Sequence, residues 1–368
     1  MRSFFHPLNS RSVKFCIAIC FLVGCEKLKD PSPFYTYRIP DPGQNEFSVS
    51  SLEEEGLEVD LLTELTNRII RDDYKRIDGL LILRNNKLVY ENYFHGHDAD
   101  ALHNIFSSGK SITSIFTGIA VDKGYISNVQ LSAFELLPEY KNYKNPDPRK
   151  KDITLEHLLN MTSGLDCDDW FEGTDIQMEK QSDRIQFTLD LPMLYDPGTR
   201  GSYCTGGVKL LGRIIENQSG LSIDDFANKY LFEPLNITAY QWDREPDGRI
   251  SASGKIFLRP RDMAKIGLLM LNKGKWKEEQ LISEAWVDRS SQSHIKLPGP
   301  FGGYGYLWWK QVFENNLETY FSSGNGGQDI FIIPSKKMVI VFTTGNKNTN
   351  LGLQNVDMLI HYILPAIK

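Results

Sequence analysis

The segment Ser107-Ser108-Gly109-Lys110 places a hydroxyl and an amine three positions apart. If a helix starts there, its first turn brings Ser107 and Lys110 onto one face. A helix N-terminus also favours negative charge developing at the serine. Lysine can act as base toward the hydroxyl when burial or cationic neighbours lower its pKa. The chemistry that follows is attack on a carbonyl through a covalent acyl-enzyme. Standing alone, the same four residues would be a capping serine and a solvated lysine.

Other chemistries fail on spacing. Gly109-Lys110-Ser111 has the ending of a phosphate-binding loop, but position 104, where its first glycine would fall, is Asn. No G-x-S-x-G occurs, which argues against a nucleophile elbow. His95-Gly96-His97-Asp98, with His103 nearby, is the densest set of metal-ligand types. Ala99 and Asp100 stand where an H-x-H-x-D-H pattern needs Asp and His, and no H-E-x-x-H is present. These residues read as a polar loop after a strand, and no metal or organic cofactor is expected.

Two later segments add weight. Asp196-Pro197-Gly198 precedes Gly201-Ser202-Tyr203-Cys204-Thr205-Gly206-Gly207 and an apolar-periodic run, VKLLGRIIENQSG. Far downstream, Ser322-Ser323-Gly324-Asn325-Gly326-Gly327-Gln328 runs into a strand-like stretch. Together with T-S-G-L at 162–165, YLFEPLNI at 230–237 and RPRDMAKIG at 259–267, the chain resembles the serine β-lactamase and penicillin-binding-protein superfamily over about residues 50–368. The likeness is to its class C-like branch of esterases, D-aminopeptidases and 6-aminohexanoate-dimer hydrolases. That resemblance implies a β-lactamase/transpeptidase-like fold, Ser107 as acylated nucleophile, Lys110 as its activating partner and Tyr203 as proton carrier to the leaving group. It implies an oxyanion hole from the Ser107 and Gly327 N–H groups. Thr205 takes the substrate-facing asparagine place, and Gly324-Asn325-Gly326 takes the place of the third motif. That motif here lacks its lysine, the cation that would grip a substrate carboxylate. Short-chain esters or uncharged amides are therefore expected ahead of β-lactams and D,D-peptides. The rival readings are a β-lactamase or D,D-peptidase, and a non-catalytic envelope lipoprotein that keeps the fold for binding.

The elements that must carry these residues follow from periodicity. Val59, Leu62, Leu65, Ile69 and Ile70 predict a helix over 59–73, and Ile112, Ile115, Phe116, Ile119 and Ala120 predict another, stopped at Gly124. LLIL at 80–83 and LVY at 88–90 flank Arg84-Asn85-Asn86-Lys87, a hairpin signal; 329–334 and 338–344 predict a second hairpin, followed by a helix over 354–367. Residues 125–250 hold helical stretches at 155–160 and 208–219 among Asp, Pro and Asn turns. The pattern is α/β plus all-α: an antiparallel sheet built from both ends of the chain, flanked by N- and C-terminal helices, with an inserted helical lobe.

The N-terminus reads as an address. Arg2, Arg11 and Lys14 precede a ten-residue apolar run at 15–24, which ends Leu22-Val23-Gly24-Cys25. A basic segment followed by a short apolar one is an export signal, and L-V-G-C resembles the lipobox of bacterial lipoproteins, with Cys25 lipidated. The expected division is a signal over 1–24, a Pro- and Asp-rich tether over 25–50 and a hydrolase domain over 51–368, membrane-anchored in the cell envelope. Loss of Arg2, Arg11 and Lys14 with no acidic residue takes the formal charge from −6 to −9. That balance argues against a nucleic-acid partner, leaving a small ester or amide substrate and the lipid anchor. Of five cysteines only Cys167 and Cys204 remain in the folded body, free to pair in an oxidising compartment or to stay as separate thiols.

Overall fold

Long apolar runs form the centre of the molecule. The computed structural model describes residues 35–43, 46–299 and 301–368. The signal segment and Cys25 lie outside the described residues. The sheet strands are β1 (Ser48–Val49), β2 (Ile77–Arg84), β3 (Lys87–Tyr93), β4 (Ile295–Lys296), β5 (Gly303–Tyr304), β6 (Trp309–Phe313), β7 (Leu317–Gly324), β8 (Gln328–Ile333) and β9 (Met338–Thr344). Their order is β1-β3-β2-β9-β8-β7-β6-β5-β4, antiparallel throughout except for the parallel pair β1–β3. Both predicted hairpins are present, and Asn85 and Asn86 turn the first with φ of 50° and 64°, the left-handed pair that a tight two-residue turn requires.

Every residue of β8 and β9 is buried, so both faces of the sheet are covered. Helix α1 (Val59–Ile70) packs with the C-terminal helical segment Gln354–Met358 and Leu359–Ile363, which ends four residues before the expected 367. A helix at Pro260–Leu271 crosses β8 and β9 at Gly267, where a Cβ would come within 2.4 Å of Val339. Close approach of helix and sheet therefore needs glycine there.

Two expectations change. The proposed tether over 25–50 already belongs to the folded body from Tyr35 onward. Tyr37 donates to the Val89 carbonyl at 2.9 Å, Phe47 is buried, and β1 joins the sheet. Burying those aromatic rings outweighs the freedom that a Pro- and Asp-rich stretch would keep. The middle of the chain supplies helices and no strand of the main sheet, yet Tyr240–Trp242 and Ile256–Leu258 form a small second sheet with His103–Asn104. Strands of two or three residues leave no readable alternation in sequence. This small sheet delivers the chain to Ser107.

Candidate active site

His103–Asn104 pairs with Leu258 and Phe257, and the Ile105 N–H continues the ladder to the Ile256 carbonyl at 2.9 Å. The chain then turns sharply at Phe106, whose φ of 46° is unusual for a bulky residue. Gly254 lies beneath the turn, where a Cβ would meet the Phe106 carbonyl at 2.4 Å. A single 3₁₀ turn, Phe106–Ser108, presents Ser107, and α2 (Gly109–Asp122) follows, buried from Gly109 to Ala120. Lys110 is consequently enclosed, only 2% exposed. Its Nζ donates to Ser107 Oγ at 3.0 Å and to the Ser253 carbonyl at 3.1 Å. Burial pulls the amine down to about 8, opposed by Asp169 and assisted by Lys209. The one-turn spacing does bring hydroxyl and amine together.

Tyr203 reaches the same place from the inserted lobe. It is buried, its ring centroid lies 5.3 Å from Lys110 Nζ, and burial pushes its hydroxyl up while a hydrogen bond with Ser107 acts the other way. The segment is gripped by the loop 167–170. Cys167 and Cys204 form a disulfide with their Cα atoms 5.3 Å apart. Ser202 Oγ donates to the Cys167 carbonyl at 2.7 Å, the Asp169 N–H to the Tyr203 carbonyl at 2.9 Å, and the Thr205 N–H to Asp169 Oδ2 at 2.7 Å. Trp170 then lies parallel over both Tyr203 and Trp309, at 4.7 and 5.8 Å between centroids. Helix α3 (Thr205–Ser219) starts directly after, so Thr205 lines the cleft from a first helical turn.

The glycine-rich segment closes the site differently from the resemblance. Gly324, at the end of β7, presses on the nucleophile turn: a Cβ there would lie 2.1 Å from the Ile105 carbonyl and 3.2 Å from the Ser108 nitrogen. Ser322 Oγ meets Ser108 Oγ at 2.5 Å beside it. Gly324 therefore opens no space near Ser107; it fills a contact. The Gly327 N–H donates to the Gly324 carbonyl at 2.9 Å, with Gly326 at φ 89° completing a tight turn. That amide is already used, so it is not the open oxyanion donor expected of it. The Asn325 side chain is tied to Asn348 in both directions, at 2.7 and 2.8 Å.

These parts line a cleft of about 430 Å³. Trp170, Phe301 and Trp309 supply its aromatic wall, and among the described residues its only charged lining groups are Asp169 and Asp175. Arg259 and Arg261 do not supply the missing cation, being engaged elsewhere with Asp262, Glu46 and Glu91. The histidine loop forms its own cluster, in which His95, His97 and His103 stand 3.6–3.8 Å from the buried Asp78. Among the described residues no group of three or more such side chains is arranged to hold a metal ion. No helix among them is long and apolar enough to cross a membrane.

Sequence reasoning missed Asp169, Trp170, Asp175 and Trp309. The signal that could have found the first two was the cysteine pair, because joining Cys167 to Cys204 necessarily carries residues 168–170 to Tyr203.

Residues 66–361 match the profile of the beta-lactamase family. The chain is 24% identical over 294 residues to a 6-aminohexanoate-dimer hydrolase of Paenarthrobacter ureafaciens, covering 72% of this chain and 71% of that one. It is 25% identical over 217 residues to a lovastatin esterase of Penicillium rubens, covering 54% of this chain and half of the relative. The octameric penicillin-binding protein homologue from Pyrococcus abyssi superposes with a TM-score of 0.67 at 20% identity, over 83% of this chain and 77% of that one.

Proposed function

The chain belongs to the beta-lactamase family and is a serine hydrolase; from that premise we propose that it forms an acyl-enzyme on Ser107 and cleaves uncharged esters or amides. The observation that carries this reading is the 3.0 Å contact between Ser107 Oγ and an enclosed Lys110 whose amine is pulled down to about 8. As a free amine, Lys110 takes the proton of Ser107 while Oγ bonds to the substrate carbonyl carbon. Tyr203, hydrogen-bonded to the nucleophile, gives a proton to the leaving oxygen or nitrogen as that bond breaks. Water then attacks the acyl carbon, losing its proton to the same pair, and Ser107 is released protonated. We assign the oxyanion donors to the Ser107 N–H and to the Asn325 N–H, the first amide past the glycine that abuts the nucleophile turn.

The cleft supports the substrate preference. With Asp169 and Asp175 as its charged lining, a substrate carboxylate meets like charge and no partner. A charge-assisted hydrogen bond contributes about 1.5–3 kcal/mol, so its absence costs roughly ten- to a hundredfold against carboxylate-bearing substrates. The comparison of kcat/KM for p-nitrophenyl butyrate and nitrocefin tests this: the ester should lead, and nitrocefin leading by more than tenfold would end the esterase reading.

We further propose export and lipidation at Cys25, on the basic and apolar run that ends in Leu22-Val23-Gly24-Cys25. The Cys167–Cys204 disulfide supports an oxidising compartment. Metabolic labelling with palmitate should mark the wild type and not Cys25→Ala.

A further inference from the structure

We propose that Asp169 is a positioning residue of the Ser107–Lys110–Tyr203 centre, holding the tyrosine segment in register and standing as the fixed negative charge that faces Lys110. The inference rests on the proposed roles of Ser107, Lys110 and Tyr203.

The geometry comes first. Asp169 grips the Tyr203 segment at two points, its N–H on the Tyr203 carbonyl at 2.9 Å and its Oδ2 under the Thr205 N–H at 2.7 Å. Its neighbours reinforce the grip, since Cys167 is bonded to Cys204 and Trp170 stacks on the Tyr203 ring. Three positions of one short loop, Cys167, Asp169 and Trp170, thus define where a single phenol sits. One carboxylate oxygen is used in this way, and the other, Oδ1, is buried without any hydrogen-bond partner. An orphaned buried carboxylate oxygen is costly, and a purely structural brace would be served as well by an amide. An amide has no negative charge.

Charge is what the surroundings call for. Lys110 on α2 is pulled toward its neutral form by burial and by Lys209 on α3, and Asp169 is the leading opposing influence, ahead of Asp175 and Glu179 on the helix Thr174–Glu179. Asp169 in turn is pushed up to about 6 by burial, with the Thr205 contacts and Lys110 acting against that and Asp175 adding to it. Around neutral pH it is ionised. An ionised carboxylate favours the ammonium form of Lys110 and so raises its pKa. Asp169 therefore has two separable effects, an orienting one on Tyr203 and an electrostatic one on Lys110.

The test is the pH profile of kcat/KM on p-nitrophenyl butyrate for wild type, Asp169→Asn and Asp169→Glu, with the rate of fluorophosphonate labelling of Ser107 measured on the same samples. Removing the charge lets the Lys110 pKa fall. The limb on which activity rises as the amine deprotonates should then move by about one pH unit to lower pH in Asp169→Asn. Its kcat should drop about ten- to a hundredfold with little change in KM. Asp169→Glu should keep the limb near its wild-type position despite a lower kcat. A slow Asp169→Asn enzyme whose limb has not moved would reduce Asp169 to a brace and overturn the proposal. Following Lys110 by NMR in protein labelled with ε-¹⁵N-lysine reads the same shift without turnover. A wild type that fails to label at Ser107 would thus count against the hydrolase assignment, while an unmoved lysine titration would count against Asp169.

Discussion

The sharpest structural prediction concerns Gly324→Ala. The added Cβ would sit 2.1 Å from the Ile105 carbonyl and 3.2 Å from the Ser108 nitrogen, both backbone atoms of the turn that presents Ser107. Ordinary contact needs about 3.4 Å, so β7 and the nucleophile turn must separate by about 1.3 Å. Neither side yields easily. The turn is held by the Ile105–Ile256 hydrogen bond and by Gly254 beneath it, and β7 is paired along both edges. Overpacking of this kind costs about 1–3 kcal/mol of stability, which a domain of this size survives. A displacement of about 1 Å at a reacting group costs on the order of 10²-fold in rate. Gly324→Ala should therefore remain folded, lose at least about 10²-fold in kcat on p-nitrophenyl butyrate, and label more slowly with a fluorophosphonate. Thermal melting run beside the kinetics separates the two effects. A variant with more than half the wild-type rate would refute the close contact, and with it the Asn325 oxyanion assignment.

Ser107→Ala should abolish both hydrolysis and fluorophosphonate labelling with an unchanged melting curve; half the wild-type rate would sink the nucleophile assignment. Lys110→Ala and Tyr203→Phe should each lower kcat by roughly 10²-fold or more, with the double variant little worse than the poorer single. Because the free amine is the base and lies near 8, wild-type kcat/KM should rise as pH increases through about 8, and a profile flat from 6 to 9 would contradict that role. Replacing Cys167 and Cys204 by Ser reopens a 37-residue separation, which removes about 4 kcal/mol by chain entropy. Activity should fall as well, since residues 168–170 lose their anchor beside Tyr203; an equally stable and equally active double variant would show the bridge to be idle.

What the sequence determined by itself was local. Ser107 and Lys110 meet because one helical turn joins them, and the helices and central strands followed from apolar spacing of 3.6 residues and from unbroken β-branched runs. The arrival of Tyr203 at this pair was legible only through resemblance. Everything that depends on two distant segments touching was left to the tertiary structure. Ser108 and Ser322 are 214 positions apart, and nothing in either segment says that Gly324 must be bare because a carbonyl lies against it. The use of the Gly327 amide within its own turn, and of the Asn325 side chain on Asn348, depends on loop conformations that glycine-rich sequences leave open. Asp169 is the clearest case. In sequence it is one acidic residue in an acidic stretch, and its charge acquires meaning only where the 167–204 bridge and burial in the cleft bring it to face Lys110. Periodicity is written along the chain, whereas charge and steric fit are properties of the space that the folded chain encloses.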